Sequence, residues 1–286
     1  MPRPSRTVAD LLGRSSELRI ERVEKAGATL SLAAGGSGVL LPAGEVPRGA
    51  KVGDRLEVFV YLDSDDRPVA TTREPKLELE EVAFLEVTAL TDFGAFVDWG
   101  LPKELLVPFA RQTRELTVGK REPIGLYLDS SGRLAGTMRV TEMLSTDGTE
   151  FELDEWVEGE AWRNEPEIGL FVIVERRFVA LLPSSEPHQL SRGQAARFRV
   201  STRRADGKFE LSLRAHAHEE LADDADKILS LVKARPSLRV GDRSSPEEIR
   251  KLFGLSKKAF KRAVGGLLKR GDIELDDNGW LKLSRT

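Results

Sequence analysis

The sequence contains no cysteine, only three histidines and few aromatic residues, and these shortages exclude several classes of protein and of binding site. Without cysteine there are no disulfides and no thiolate metal ligands, a usage that fits a reducing compartment. No apolar run approaches the ~18 residues that a membrane-spanning helix needs. No apolar segment follows the basic N-terminus as it would in a secretory signal. These shortages predict a cytoplasmic protein with no membrane segment.

The polar residues that are present form no recognisable catalytic or metal-binding motif. His188 is isolated, and His216 and His218 stand beside two glutamates at what reads as the start of a helix. The glycine-rich segment AAGGSGVLLP (33–42) lacks the Lys-Ser/Thr ending of a phosphate-binding loop and is interpreted as a hairpin. The sequence therefore predicts a protein without a cofactor or metal and without enzymatic activity.

The net charge of −3 conceals an uneven distribution of charge along the chain. Residues 217–286 carry 15 basic residues against 12 acidic ones, whereas residues 1–216 are acidic overall. Between Ile249 and Gly271 there are eight basic residues and no acidic one. A run of this composition favours a nucleic-acid partner over the alternative of a helix kept soluble by its charge.

Three segments of the first 216 residues share one pattern, which indicates an internal repeat. Each opens with an apolar run that ends in proline, at Pro42, Pro108 and Pro183. A glycine follows ten or eleven residues later, at Gly53, Gly119 and Gly193. The next run alternates apolar and polar residues, which is the period of a half-buried strand. Room for two more strands lies before each proline, so each unit of ~70 residues fits a five-stranded OB-type barrel.

The last 70 residues change to a helical pattern. Ser244 and Ser245 are alternative candidate N-caps of one helix and Ser256 is the candidate of the next. Pro246 suits a first helical turn, and Asn278-Gly279 predicts a hairpin turn. Three helices followed by a hairpin make a winged helix, in which the last helix usually enters a groove of nucleic acid. The predicted fold class is therefore mainly β with a C-terminal α+β unit. The predicted boundaries are three tandem OB barrels at 5–74, 75–144 and 148–215 and a winged helix at 217–286.

The last predicted helix has an apolar stripe and a basic flank. The stripe predicts burial of Phe260, Val264, Leu267 and Leu268. The flank left to water carries Lys257, Lys258, Lys261 and Arg262. Paired glycines at 265 and 266 are unfavourable inside a helix, so another group is expected to approach the backbone there.

The stretch LTDFGAFVDWGLPKELLVPF (90–109) gathers four of the chain's few aromatic residues, and two interpretations of it stay open. Core packing and nucleobase stacking both use flat apolar rings. Strict alternation would place Phe93 and Phe96 on opposite faces of a strand, unless Gly94 introduces a kink. Trp99 and Phe109 are predicted to pack in the core or a loop.

DFGAFV, followed by LLVPF, LDSSGR and LAGTMRV, resembles the S1-type RNA-binding domain, which is an OB barrel. The resemblance implies base stacking by Phe93 and Phe96, and it implies RNA contacts from an aspartate and an arginine of a later turn. These two positions are filled by Asp129 and Arg133 in the second unit and by Asp63 and Arg67 in the first. In the third unit they are filled by Arg204 and Lys208, and that unit keeps Phe171 as its aromatic residue. The first unit has Leu30 aligned with Phe96 and is expected to be structural. The family's histidine falls on Pro42, Pro108 and Pro183, so that contact is missing.

Three S1-type units followed by SSPEEIRKLFGLSKKAFKRAVGGLLKRGDIEL resemble the conserved virulence factor B family of bacterial RNA-binding regulators. The resemblance implies RNA binding shared between the barrels and the winged helix, with an effect on the expression of other genes.

The predicted function is a non-enzymatic, cytoplasmic protein that binds single-stranded RNA, such as mRNA, and regulates gene expression post-transcriptionally. The predicted RNA-contact residues are Phe93, Phe96, Asp129, Arg133, Phe171, Lys208, Lys257, Lys258, Lys261 and Arg262. The alternative is a transcription regulator whose winged helix binds duplex DNA while the barrels serve as interaction modules. A third possibility is an adaptor whose barrels bind the ribosome or RNA polymerase.

Overall fold

The computed structural model describes residues 8–31, 38–214, 217–235, 238–276 and 278–284, and the chain divides into two compact units. The first unit spans Met1–Ser212 and the second Leu213–Thr286. Residues 33–37 of the glycine-rich segment lie outside the described residues, and its last four residues form the strand Val39–Pro42. No helix of the described part is long and apolar enough to span a membrane.

The first unit consists of three five-stranded β-structures that follow one another along the chain. The first barrel contains β1 (Ser15–Glu24), β2 (Gly27–Ser31), β3 (Val39–Pro42), β4 (Arg55–Leu62) and β5 (Pro68–Thr71). The second contains β6 (Val82–Thr91), β7 (Gly94–Asp98), β8 (Leu105–Pro108), β9 (Arg121–Leu128) and β10 (Leu134–Thr137). The third contains β11 (Trp156–Glu165), β12 (Gly169–Val174), β13 (Phe178–Pro183), β14 (Ala195–Arg203) and β15 (Phe209–Ser212).

All three use the same strand order, and they differ in how the cylinder closes. In the first and third barrels a parallel bridge joins the third and fifth strands, at Leu40–Val69 and Leu181–Glu210. The second keeps the order β10-β9-β6-β7-β8 without a hydrogen-bonded bridge between its end strands. The predicted series of three five-stranded OB barrels is confirmed, with the second one nearly closed.

The strand register confirms the threefold repeat and corrects one of its alignments. The strand-ending prolines pair with equivalent glycines, as Gly27–Pro42, Gly94–Pro108 and Gly169–Pro183. Counting from these glycines, the residue equivalent to Phe96 and Phe171 is Thr29, and each of the three faces a leucine of the next strand. The alignment of Leu30 with Phe96 was therefore wrong by one residue. Leu30 is buried in the core, because a shift of one residue moves a strand side chain to the other face.

Gly94 is required by the close approach of two strands. An ideal Cβ at this position would lie 2.4 Å from the carbonyl oxygen of Val107. The equivalent glycines of the other barrels are equally crowded, since a Cβ on Gly27 or Gly169 would lie 2.0 or 2.1 Å from a carbonyl oxygen. Glycine therefore lets the second and third strands of each barrel pair tightly at the end where the proline stands.

Three residues of the first barrel, Phe59, Tyr61 and Val69, belong to the apolar core of the second barrel. Trp99 is 2% exposed and meets Phe59 and Tyr61 of β4 edge to face, with ring centroids 5.8 and 6.4 Å apart. Its indole N–H donates to the carbonyl oxygen of Lys103. The prediction that Trp99 packs in the interior is confirmed, and its location explains why: it forms the joint between two barrels.

A second joint connects the second and third barrels. The ring of Phe84 is buried in it, and the guanidinium of Arg192 lies 5.1 Å from the ring centroid. Arg121 donates to Glu160, to the Phe84 carbonyl and to the Gly193 carbonyl at 2.8 to 3.0 Å. The Phe84 N–H donates in turn to the carboxylate of Glu160 at 3.1 Å. Apolar burial and charge-assisted hydrogen bonds together fix the two barrels against each other.

The second unit contains α1 (Ala217–Ala234), α2 (Pro246–Phe253), α3 (Lys257–Arg270) and a hairpin of β16 (Ile273–Leu275) and β17 (Leu281–Leu283), which is the predicted winged helix. Ser245 and Glu248 form a capping box, and Ser256 caps α3 through the Ala259 N–H. Phe260 and Leu267 are buried as predicted. Leu268 is 36% exposed, so its predicted burial was wrong: Ala263 and not Leu268 completes the buried stripe.

Gly265 lies on the exposed side of α3 with open space around it. A Cβ added there would meet no atom of the described structure within 4 Å, so the close neighbour predicted for the glycine pair is not found at Gly265. We expect Gly265→Ala to raise the free energy of unfolding of the winged helix by about 1 kcal/mol, since alanine loses less backbone entropy than glycine in a helix. Denaturant unfolding measures the change.

Gly271 provides the matched control, because it ends the same helix and also has open space around it. Its φ of +78° lies in the left-handed region, so Gly271→Ala is expected to destabilise the domain by about 1–2 kcal/mol. Shifts of the same sign for both variants would contradict the prediction.

Candidate nucleic-acid interface

Phe93 and Phe96 both lie at the surface of the second barrel, although strict alternation would have separated them. Phe93 occupies the turn between β6 and β7, where strand periodicity does not apply, and it is 58% exposed. Phe96 lies within β7 and is half-buried, because its neighbours Ala95 and Val97 point into the core. The two ring centroids are 6.1 Å apart and the ring planes are perpendicular. Both rings are open to a ligand.

Phe109 is a third exposed aromatic residue, and the prediction that it packs in the core or a loop was wrong. It is 56% exposed and begins the 3-10 helix Phe109–Arg111 directly after β8. This short helix breaks the alternation that would have turned the ring inward. The Phe109 N–H donates to the Phe93 carbonyl at 3.4 Å, which places the two residues side by side in the backbone. Its position directly after the strand-ending Pro108 is the signal in the sequence that could have indicated its exposure.

Phe93, Phe96 and Phe109 are called the aromatic face below. Two hydrogen bonds hold the backbone beside it: the Arg139 guanidinium donates to the Ala110 carbonyl at 3.0 Å, and the Met138 N–H donates to the Arg111 carbonyl at 2.8 Å. The Arg111 guanidinium lies 4.5 Å from the centroid of the Tyr127 ring. Neither arginine forms a salt bridge within the described part of the chain. The face therefore combines open rings with positive charge.

Asp129 and Arg133 occupy the turn between β9 and β10. The Asp129 carboxylate accepts hydrogen bonds from the Ser131 N–H, the Ser131 hydroxyl and the Arg133 N–H at 2.6 to 3.0 Å. The pKa of Asp129 is lowered mainly by the hydrogen bond that its carboxylate accepts from the Ser131 hydroxyl. The carboxylate is thus engaged in shaping its own turn, whereas the Arg133 side chain remains half exposed.

A groove of about 330 Å³ brings this turn together with Phe96. Its lining includes Phe96, Asp129 and Arg133 of the second barrel and Asp66 of the first. Asp66 lies 3.7 Å from Arg133 and 3.6 Å from Lys103, measured between charged atoms. The structure therefore assembles three of the predicted contact residues of the second barrel, and it adds an acidic neighbour from the first.

The first and third barrels build the same turn with different charges. In the first, the Arg67 side chain donates to Asp63 at 2.7 and 2.9 Å, and this is the main cause that lowers the Asp63 pKa to about 2. In the third, Arg204 and Lys208 take the equivalent positions, as the same backbone hydrogen bond across the turn shows. Both lie near Asp206, at 3.6 and 3.2 Å.

The aromatic residue of the third barrel is covered by an arginine. The Arg163 guanidinium lies 4.9 Å from the ring centroid of Phe171 and 5.2 Å from that of Trp162. Arg163 pairs with Phe171 across the strands, and the residue that pairs with Phe96 in the same way is Ala89. A small side chain thus leaves the ring of the second barrel bare, while a long cation covers that of the third.

The basic helix α3 presents most of its predicted cations to solvent. Lys258, Lys261 and Arg262 are exposed and Lys257 is half-buried. The Lys261 ammonium lies 2.7 Å from the Asp242 carboxylate, and the hydrogen bond between them is the main reason why the pKa of Asp242 is lowered. Within the described residues Lys258 and Arg262 form no salt bridge, so their charge is available to a ligand.

No group of His, Asp and Glu side chains in the described structure is arranged to hold a metal ion. His188 is half-buried, and its ring Nδ1 accepts a hydrogen bond from the Leu190 N–H at 3.3 Å. His216 and the side chain of His218 lie outside the described residues.

The chain resembles known proteins over most of its length. Residues 12–73 match the S1 domain family, and residues 226–283 match the CvfB-like winged helix domain. The chain is 31% identical to the uncharacterized protein YitL of Bacillus subtilis over 252 residues, which cover 85% of this chain and 84% of that protein. It is 30% identical to conserved virulence factor B of Staphylococcus epidermidis, covering 82% and 84% of the two chains.

One solved structure that resembles the chain is a multidomain protein with nucleic acid binding domains from Streptococcus pneumoniae. The two sequences are 27% identical, and the match covers 95% of this chain and 98% of that protein, with a TM-score of 0.40. The family matches show that the chain carries S1 and winged-helix domains, which are nucleic-acid-binding domains.

Proposed function

The chain belongs to the conserved virulence factor B family, and from this premise we propose that it binds single-stranded RNA and regulates gene expression post-transcriptionally. Neither the S1 domain nor the winged helix is a known enzyme family, so the proposed activity is binding alone. The observation that carries the proposal is the aromatic face, where Phe93 and Phe109 are each more than half exposed beside Phe96.

Open aromatic rings favour an unpaired strand over a duplex. Bases inside a duplex are already stacked on one another, so their faces cannot reach a protein ring without unpairing. An unpaired base can stack on phenylalanine, and each such contact is worth about 1–3 kcal/mol. The aromatic face is therefore suited to single-stranded ligands of mixed sequence, because every base has a flat face.

The basic residues supply the second part of the proposed interface. Arg133 and Lys208 extend from equivalent turns, and the cations of α3 provide phosphate contacts from the second unit. Phe171 is the proposed aromatic contact of the third barrel, with the Arg163 guanidinium stacked beside its ring. Asp129 contributes by holding its turn in shape, since a carboxylate placed against a phosphate would repel it.

One observation favours duplex DNA as a second candidate ligand. Lys258 and Arg262 lie one turn apart on the exposed side of α3, and this is the helix of a winged domain that enters the major groove. The barrels would then act as interaction modules, as in a transcription regulator.

A salt titration of the full-length protein separates the two candidates. Single-stranded RNA is expected to bind more tightly than duplex DNA of equal length. The slope of log K against log salt is expected to be about −0.7 for each phosphate neutralised. Lys258→Ala/Arg262→Ala should keep RNA binding and make this slope shallower by about 1.4, because two phosphate contacts are lost.

Tighter binding of the duplex would overturn the proposal. So would complete loss of RNA binding in the α3 variant, since that result would place the whole site on the winged helix. Glu247→Ala/Glu274→Ala, which changes two exposed acidic residues of the same unit, is the control for a general effect of charge.

A further inference from the structure

An arginine-lined crevice of about 460 Å³ lies where the second and third barrels meet, and it is separate from the groove beside Phe96. Four arginines line it: Arg114, Arg139, Arg163 and Arg192. They come from four separate segments of the chain, so no local sequence pattern marks the site. Met138, Val140 and Trp162 supply its apolar surface. This site is called the arginine crevice below.

The arginines of the crevice are held in place before any ligand arrives. The Arg163 guanidinium is stacked beside Trp162 and Phe171 at 4.9 to 5.2 Å. Arg192 lies over the Phe84 ring and donates to Glu122 at 2.8 Å. A guanidinium fixed by stacking loses little freedom when it binds, and its planar set of N–H donors matches the oxygens of a phosphate.

Positive charge in the crevice exceeds the negative charge near it. Glu122 is shared between Arg114 and Arg192, and Glu165 lies 3.2 Å from Arg163. Glu142 is the acidic residue in the lining. Arg139 forms no salt bridge within the described residues, and its partner is the uncharged carbonyl of Ala110. Four guanidinium groups against three carboxylates leave a site that favours an anion.

Two arginines of the crevice reach towards the proposed aromatic platforms, one on each side. Towards the second barrel, Arg139 contacts the carbonyl of Ala110, the residue directly after Phe109 of the aromatic face. Towards the third barrel, Arg163 stacks on Phe171. Arginines of the crevice thus contact chain segments at or next to both platforms.

We infer that the arginine crevice binds the sugar–phosphate backbone of a single RNA strand that crosses from the second barrel to the third. This inference rests on the proposed function, because it requires RNA on the aromatic face. It adds that two barrels share one strand and that the crossing segment is recognised by its phosphates and not by its bases.

The test compares a short and a long RNA on full-length protein. An RNA of about 6 nucleotides fits one barrel, whereas one of about 24 nucleotides reaches across the crevice. Wild-type protein should bind the long RNA more tightly than the short one. Arg139→Gln/Arg163→Gln should weaken the binding of the long RNA about tenfold or more beyond any loss that it causes for the short one, since two charge-assisted contacts disappear.

Arg22→Gln/Arg55→Gln is the matched control, because it removes two exposed arginines of the first barrel and the same amount of charge. The inference is overturned if the crevice variant loses no more affinity for the long RNA than this control does. It is also overturned if short and long RNA weaken equally. Failure of wild-type protein to bind even the short RNA would instead refute the proposed function. Thermal unfolding of each variant verifies that the barrels remain folded.

Discussion

Replacing Phe93, Phe96 and Phe109 together by alanine is expected to weaken the binding of single-stranded RNA by at least two powers of ten. Base stacking on an aromatic side chain is worth about 1–3 kcal/mol, so the loss of three platforms removes about 3 kcal/mol or more of binding free energy. The fold should tolerate the change, because Phe93 and Phe109 are 58% and 56% exposed and Phe96 is half-buried. Equilibrium titration with fluorescent RNA measures the loss.

The control for this variant uses apolar residues that are equally exposed elsewhere. Val52, Val118 and Leu153 are 63%, 53% and 56% exposed, and their replacement by alanine removes apolar surface without removing a ring. This control should bind RNA like the wild-type protein. RNA affinity that survives in the aromatic variant would exclude the second barrel from the binding site.

Trp99→Ala is expected to lower the free energy of unfolding of the three-barrel unit by about 3–5 kcal/mol. The substitution removes a ring that is 2% exposed and that contacts Phe59 and Tyr61 of the neighbouring barrel. It leaves a cavity at the joint and takes away the hydrogen-bond donor of the Lys103 carbonyl. Urea unfolding followed by circular dichroism measures the change in stability.

Two further variants limit how that result can be interpreted. Trp99→Phe keeps a ring at the joint and should cost less than the alanine variant. Trp156→Ala removes a half-buried tryptophan that contacts Arg197 on the surface of the third barrel, and a smaller loss is expected there. A loss for Trp99→Ala no larger than that for Trp156→Ala would show that the first two barrels do not depend on this joint.

Local patterns were sufficient to predict the barrels and the winged helix. Alternation in the strands, prolines at strand ends and serines before helices each report on the few residues around them, and the structure contains the corresponding elements. The error at Leu30 arose because alternation gives a period but not a register. The pair Gly27–Pro42 sets the register. In the sequence, Gly27 stands two residues before Thr29, as Gly94 stands two residues before Phe96.

The interface was predictable only in part, because much of it depends on contacts between distant segments. Phe93 and Phe96 were found through the resemblance to S1-type domains. Phe109 was missed because a short 3-10 helix, and not strand periodicity, sets its direction. The covering of Phe171 by Arg163 follows from a cross-strand pair, and the four arginines of the crevice meet only after two barrels have packed together. The predicted domain boundaries and site residues stay predictions.

The joint formed by Phe84, Arg121 and Glu160 means that the second and third barrels meet any shared ligand at a constant spacing. Once a polymer is seated on one barrel, its next segment is presented to the other at a high effective concentration, with no linker to order first. Tethering of this kind raises avidity without new contacts, and it selects ligands by length. The buried ring of Phe84, by fixing this spacing, thereby helps to set the length of a ligand that can occupy both barrels.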